Sequence, residues 1–269
     1  MKRTSIDETL PPLHIVSWSG GKDSTATIII AHRLGIRIDK IIISLPWFSK
    51  KKKIYADDPD HVEWVLEYAK PLFESWGYEV VVLSDDRDYI YWFNKEKQNS
   101  KYPEQNGLKY GFVIGGMCKF NLSKIAPIKE YIKGLERKCV VFEGIAADEP
   151  ERITGMIEKR NHRSLLYEQG IEEPETFPIC SSEGLLSPVY KRRKRQGCWF
   201  CPNQSLEEMA DRRRERPDLW SELEELAKVE GTATRGFKYG KTFQEVNEEI
   251  DRYLSRPIQL SIFDSIYSE

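Results

Sequence analysis

Two kinds of apolar pattern alternate along the first half of the chain. Leu13-His14-Ile15-Val16-Ser17-Trp18 is short and β-branched, breaks at Gly20-Gly21, and predicts a buried strand. Asp23 to Leu34 follows with helical propensity and stops at Gly35, a C-terminal cap. Ile38 to Leu45 predicts a second strand, ended by Pro46. Asp58-Pro59-Asp60 starts a helix, and Val62, Val65, Leu66, Ala69, Leu72 and Phe73 recur at helical spacing up to Gly77. Tyr78 to Leu83 predicts a third strand, Leu122 to Leu135 a helix, and Val140-Val141-Phe142 a fourth strand before Gly144. Strands alternating with helices predict an α/β fold of Rossmann-like type, a mainly parallel sheet with helices on both faces. Ligands of such sheets sit beyond the carboxyl ends of the strands.

Past about residue 185 the character changes. Residues 191–216 carry nine Lys/Arg against four Asp/Glu; residues 217–269 carry six against eleven, with helical patterns in Asp218 to Val229 and Thr242 to Tyr253. The chain of 269 residues therefore reads as an α/β domain over 1–185 and a helical subdomain over 186–269. The whole-chain charge of −2 hides this asymmetry, and it excludes a histone-like polyanion coat. No apolar run approaches the ~18 residues of a membrane span. Met1 to Glu8 has basic residues but no apolar stretch behind them, so the expectation is a cytoplasmic protein with no membrane partner. Disulfides are then disfavoured, and the five cysteines need another explanation. The Lys50 to Lys53 run reads as a solvated loop.

Ser17-Trp18-Ser19-Gly20-Gly21-Lys22-Asp23-Ser24-Thr25 joins the first strand to the first helix. Glycines let backbone approach a phosphate, the helix start offers unpaired N–H groups, hydroxyls add donors and Lys22 adds charge. The spacing is neither that of a Walker loop nor that of a dinucleotide fingerprint. Ser19-Gly20-Gly21-Lys22-Asp23-Ser24 resembles the pyrophosphate loop of the adenine nucleotide α-hydrolase superfamily (PP-loop ATP pyrophosphatases), whose members include tRNA thiolation enzymes and sulfonucleotide reductases. Two more segments resemble its PAPS-reductase branch. Gly144-Ile145-Ala146-Ala147-Asp148-Glu149-Pro150-Glu151-Arg152 is similar to the branch's Gly-x-x-x-Asp/Glu-Ser-x-x-Arg, with Glu149-Pro150 where Glu-Ser is usual. Cys118 to Pro127 resembles its Cys-Thr-x-x-x-Lys-x-x-Pro. The resemblance implies ATP, or PAPS or APS, bound with Mg²⁺ by Ser17, Ser19, Gly20, Gly21, Lys22, Asp23, Ser24, Thr25, Lys124, Gly144, Asp148 and Arg152. Of these, Lys22, Asp23 and Ser24 are the expected catalytic residues, and the Arg152 guanidinium suits a phosphate or sulfate.

Gly197-Cys198-Trp199-Phe200-Cys201-Pro202 is a Cys-x-x-Cys closed by proline, a spacing that turns around one metal or one cluster corner. A redox dithiol competes, but it normally follows a strand in a thioredoxin-like unit. Cys180 and Cys118 would complete four ligands, while Cys139 reads as a strand core residue. Four thiolates hold either Zn²⁺ or a 4Fe–4S cluster. The resemblance favours the cluster: in iron–sulfur members a cysteine before the Lys-x-x-Pro segment joins a later Cys-x-x-Cys. Those members have two adjacent cysteines where this chain has Met117-Cys118, so Cys180 substitutes. The arginine-rich Lys191 to Arg195 reads equally as a polyanion contact or a solvated loop.

Three functions follow. The first is an ATP-cleaving enzyme that releases pyrophosphate and activates an acceptor, with sulfur insertion into a nucleic acid (DNA or tRNA) from a sulfur-donor protein as the natural sequel. The second is a PAPS or APS reductase, but the family's nucleophile lies in a C-terminal Glu-Cys-Gly-x-His segment, and no cysteine follows Cys201 here. The third is a non-enzymatic module that binds nucleotide or nucleic acid. No histidine cluster competes as a site: His14, His32, His61 and His162 are dispersed, with Asp60-His61 near the ligand edge. The tryptophans read as packing, except that Trp18 flanks the loop.

Overall fold

The computed structural model describes residues 10–113, 118–234 and 236–255; Met1–Glu8, Met117 and the Ser265–Glu269 end lie outside them. The chain runs β1 (Leu13–Trp18), α1 (Lys22–Arg33), β2 (Lys40–Ser44), a hairpin of β3 (Trp47–Ser49) and β4 (Ile54–Tyr55), and α2 (Pro59–Glu63). A π-helical stretch, Trp64–Ala69, leads into α3 (Lys70–Ser75), β5 (Glu79–Leu83) and α4 (Tyr89–Asn94). Next come α5 (Asn121–Gly134), β6 (Cys139–Glu143), α6 (Pro150–Ile157), β7 (His162–Arg163), α7 (Leu165–Glu168) and α8 (Thr176–Ser182). The helices α9 (Leu206–Glu215), α10 (Pro217–Ala227) and α11 (Phe243–Leu254) complete the described elements. None of these helices is long and apolar enough to cross a membrane.

Two compact units form: Met1–Trp92 with Lys119–Trp199, and Phe93–Cys118 with Phe200–Glu269. The first holds a five-stranded sheet in the order β5-β2-β1-β6-β7, every pairing parallel. This is the α/β class expected from the alternating pattern. Alternate strand residues sort to its two faces, as the period of two requires. Val16, Trp18, Ile41 and Ile43 pack with Ile28, Ile29, Val65 and Phe73 on the face of α1 to α3. Ile15, Ile42 and Cys139 pack with Ile128, Tyr131 and Ile132 of α5 on the other. Each fully buried isoleucine contributes roughly 1.5–3 kcal/mol by leaving water. Cys139 sits in the strand core as its sequence neighbours predict.

The helix predicted from Asp58 to Gly77 is present in three contiguous pieces. Pro71 has no N–H to return to the carbonyl four residues back, and its ring crowds that carbonyl, so the turn before it widens to π geometry while the apolar stripe continues. The lysine run is the exposed turn of the β3–β4 hairpin. In the second unit an aromatic core joins Phe93, Phe112, Phe237, Phe243 and Trp220. The Trp220 indole donates to Asn247 Oδ1 (3.0 Å), tying α10 to α11. Capping boxes at Ser205 with Glu208 and at Thr242 with Glu245 start α9 and α11.

Candidate functional site

The strand order reverses direction at β1: one branch of the chain builds outward through β2 and β5, the other through β6 and β7. The crevice beyond β1 and β6 is thus the topological switch point where such sheets bind ligands. A cavity of about 270 Å³ opens there, lined by Ser17, Ser19, Gly21, Asp23, Ser24, Glu143, Gly144 and Arg152. Seven of these eight are residues that the sequence motifs single out.

The loop is organised by its own hydroxyls. The Ser19 N–H donates to Ser24 Oγ (3.1 Å), the Gly21 N–H donates to Ser19 Oγ (3.2 Å), and the Ser24 hydroxyl donates to the Gly21 carbonyl (3.1 Å). The two hydroxyls lie 3.0 Å apart, so Ser19 is left to donate to Ser24. Gly20 has φ +75, and a Cβ there would lie 2.5 Å from the His61 ring. Gly144 is closer still: its Cβ would lie 2.4 Å from the Ser24 amide nitrogen and 2.6 Å from Ser24 Cα. The end of β6 therefore lies directly on the first turn of α1, which only glycine permits.

Lys22 is not in the cavity lining. Its ammonium is buried, donates to Asp23 Oδ1 (2.7 Å) and Glu173 Oε1 (2.7 Å), and lies 5.4 Å from the centre of the Phe177 ring. Burial opposes the charge, but hydrogen bonds to the two carboxylates hold its pKa above the ordinary lysine value. Thr176 Oγ1 adds a donor 2.9 Å from Asp23 Oδ1. Lys22 thus fixes Asp23, and Asp23 reaches the cavity. The Lys22 N–H donates to Tyr190 Oη (3.0 Å), a phenol whose pKa burial raises. Thr25 accepts from the Trp18 indole (3.0 Å), and both are buried in the core behind the loop.

Arg152 lines the cavity from α6 while one guanidinium nitrogen pairs with Glu149 (2.5 Å). Asp148 accepts from the Glu173 N–H (3.0 Å) and is not in the lining. Lys124 is also elsewhere: it donates to the buried Asp57 (2.7 Å). Burial disfavours its charge, yet Asp57 and Cys198 together hold its pKa above the ordinary range. Beside this pair, Asp58 meets the Arg193 guanidinium at 3.1 Å, and His61 Nδ1 lies 2.8 Å from the Ser187 hydroxyl. Burial lowers the His61 pKa, so the ring that backs Gly20 is neutral near pH 7.

Of the expected set of Cys118, Cys180, Cys198 and Cys201, Cys180 and Cys198 belong to the first unit and Cys118 and Cys201 to the second. Among the described residues no three His, Cys, Asp or Glu side chains are grouped as a metal would need. Cys180 is fully buried on α8, donates to the Lys22 carbonyl (3.2 Å), and has its thiol pushed up to about 12 by burial. A thiol so placed packs α8 onto α1. Cys198 forms an isolated bridge with Asp57 in the first unit; Cys201, in the second, faces the Lys238 ammonium, whose pKa burial lowers. We expect alkylation of Cys180 only after unfolding, read by peptide mass mapping. Modification of Cys180 in the native state would contradict this packing.

Sequence reasoning did not find Glu143, Glu173, Thr176, Tyr190 or Ser187. Glu143 left a trace: a carboxylate closing an apolar parallel strand beside Gly144. The others come from the 173–190 stretch, which has no motif and meets the loop only through the fold.

The fold and the loop together define the class: a doubly wound parallel sheet with a glycine- and serine-rich turn at its switch point. No family model matches the chain, and no curated protein matches it. Among solved structures it is similar to the U34-tRNA thiolase NcsA from Methanococcus maripaludis with its 4Fe–4S cluster. The identity is 15%, the match covers 95% of this chain and 86% of that one, and the TM-score is 0.37. A likeness at that level assigns this chain no activity and no cofactor.

Proposed function

We infer that the switch-point cavity holds the phosphates of an adenine nucleotide, and that the protein cleaves ATP at the α-phosphate. Pyrophosphate leaves, and the adenylyl group passes to an acceptor that is thereby activated for sulfur transfer, the acceptor class being a nucleic acid, DNA or tRNA. The observation that carries this reading is the gathering of Ser17, Ser19, Gly21, Asp23, Ser24 and Arg152 around one cavity at the start of α1. Hydroxyl donors, the helix start and a guanidinium fork suit a polyphosphate.

In this reading Ser19 turns its hydroxyl from Ser24, and Ser24 its own from the Gly21 carbonyl, to phosphate oxygens, and Arg152 exchanges Glu149 for the ligand. Lys22 keeps Asp23 in place from behind. Asp23 Oδ1 is taken by Lys22 and Thr176, while Oδ2 accepts no hydrogen bond among the described residues. That oxygen fits Mg²⁺, which Asp23 would hold together with phosphate oxygens, and which supplies charge neutralisation when bound. None of these residue roles depends on the expected 4Fe–4S cluster, which would be held by the thiolates of the Cys-x-x-Cys, Cys198 and Cys201, with further cysteines.

Purified protein is expected to release pyrophosphate from ATP in the presence of Mg²⁺. Ser24→Ala should lower the rate by about 10²–10³-fold, the usual loss for one aimed donor, and Asp23→Ala should abolish release. Absence of nucleotide binding by calorimetry would defeat the reading. Sulfite release from PAPS with thioredoxin would replace it with a reductase.

A further inference from the structure

We propose that Glu143 is the general base that accepts the proton of the attacking acceptor. The proposal rests on the nucleotide reading of the cavity and deepens it. Glu143 closes β6 in register with Ser17, so its side chain enters the cavity one strand away from the start of the loop. The two carboxyl oxygens differ. Oε1 accepts from His162 Nδ1 (2.5 Å) and from the Lys159 ammonium (3.1 Å), whereas Oε2 accepts nothing among the described residues. One oxygen is anchored and the other is presented.

A fixed carboxylate is a poor neighbour for a polyphosphate, because like charges at contact distance repel. Its place beside the loop is productive if it faces the part of the reaction that loses a proton. The balance is simple. The acceptor heteroatom, written X–H, attacks the α-phosphorus and the X–P bond forms. The P–O bond to pyrophosphate breaks, and the leaving oxygen keeps the electron pair. The proton from X moves to Glu143 Oε2. His162 and Lys159 are positioning residues: they hold Oε1 and keep the carboxylate turned towards the cavity. The titratable and charged groups around Glu143 are Lys159 and His162 at its anchored oxygen, with Asp23 and Arg152 also lining the cavity.

The test compares wild type, Glu143→Gln and Glu143→Ala with Mg-ATP, water serving as acceptor, and follows pyrophosphate release. Binding of an α,β-methylene ATP analogue is measured in parallel. Glu143→Gln is expected to bind the analogue like wild type and to release pyrophosphate roughly 10²–10⁴-fold more slowly, the usual range for a lost base. Added formate should restore release by Glu143→Ala, which a structural role would not allow. Equal rates in wild type and Glu143→Gln would overturn the proposal while leaving the nucleotide reading intact. So would a parallel loss of analogue affinity without formate rescue, which makes Glu143 a ligand contact. Recovery of Glu143→Gln at raised Mg²⁺ would also overturn it, by making the residue a cation ligand. Failure of the wild type to bind nucleotide at all would remove both readings together.

Discussion

Gly144→Ala is expected to abolish nucleotide binding and to lower the melting temperature by roughly 6–12 °C, from a destabilisation of about 3 kcal/mol. The added methyl would lie 2.4 Å from Ser24 N, 2.6 Å from Ser24 Cα and 2.7 Å from the Asp23 carbonyl carbon. All three are backbone atoms of the first turn of α1, so no side-chain rotation relieves the contact. Either β6 slides out of register with β1 or α1 lifts away from the sheet. The first disturbs the Ser17–Glu143 pairing, and the second scatters Ser19, Asp23 and Ser24 from the cavity. Calorimetry with ATP and a thermal scan check both consequences. A variant that melts and binds like wild type would mean that the contact between β6 and α1 is looser than described.

The second large effect is at Gly20. Gly20→Ala is expected to cost about 1–2 kcal/mol for the left-handed backbone at φ +75, together with about 1–3 kcal/mol for overpacking against His61. These two costs separate in a cycle with His61→Gly, which removes the ring that the new methyl would strike. The double variant should recover the overpacking share of stability but not the backbone share. Nucleotide affinity should fall in Gly20→Ala and recover only in part, because the loop is shaped by both constraints. If His61→Gly gave no relief, the ring would not be what confines the loop at Gly20. Chemical denaturation of the four proteins reads the cycle directly.

The strands and the loop were visible in the chain for a local reason. A strand buried on both faces is mostly apolar, and such a run followed by Ser-Gly-Gly-Lys-Asp-Ser leaves few conformations open. β1 is found at Leu13–Trp18 as its apolar run predicts, and α1 begins within a residue of the expected start. The loop residues do meet around one cavity. Lys22 shows the limit of that reasoning. Its charge suggests a phosphate contact, yet it lies beside Glu173, a residue 151 positions away, and it serves Asp23 instead. Cys180 is similar: nothing in its sequence neighbours shows that its thiol is fully buried and donates to the Lys22 carbonyl, which the packing of α8 on α1 decides.

The segment Phe93–Cys118 marks a second limit. It carries no strong period, and it joins the residues after Phe200 through the Phe93–Phe112–Phe237 cluster and a bridge of Lys109 with Thr232. Contacts that distant in sequence leave no local trace.

By itself, the sequence determined the alternating strand and helix order, the parallel sheet that this order requires, and the glycine-serine turn at the end of the first strand. Each depends on neighbours within a few residues, where apolar period and backbone freedom act directly. The tertiary structure alone decided which charges face the cavity. It set Glu143 beside Ser17, Glu173 and Tyr190 onto the loop, and His61 behind Gly20. Those placements follow from strand order and helix packing, which bring together residues that no sequence window contains.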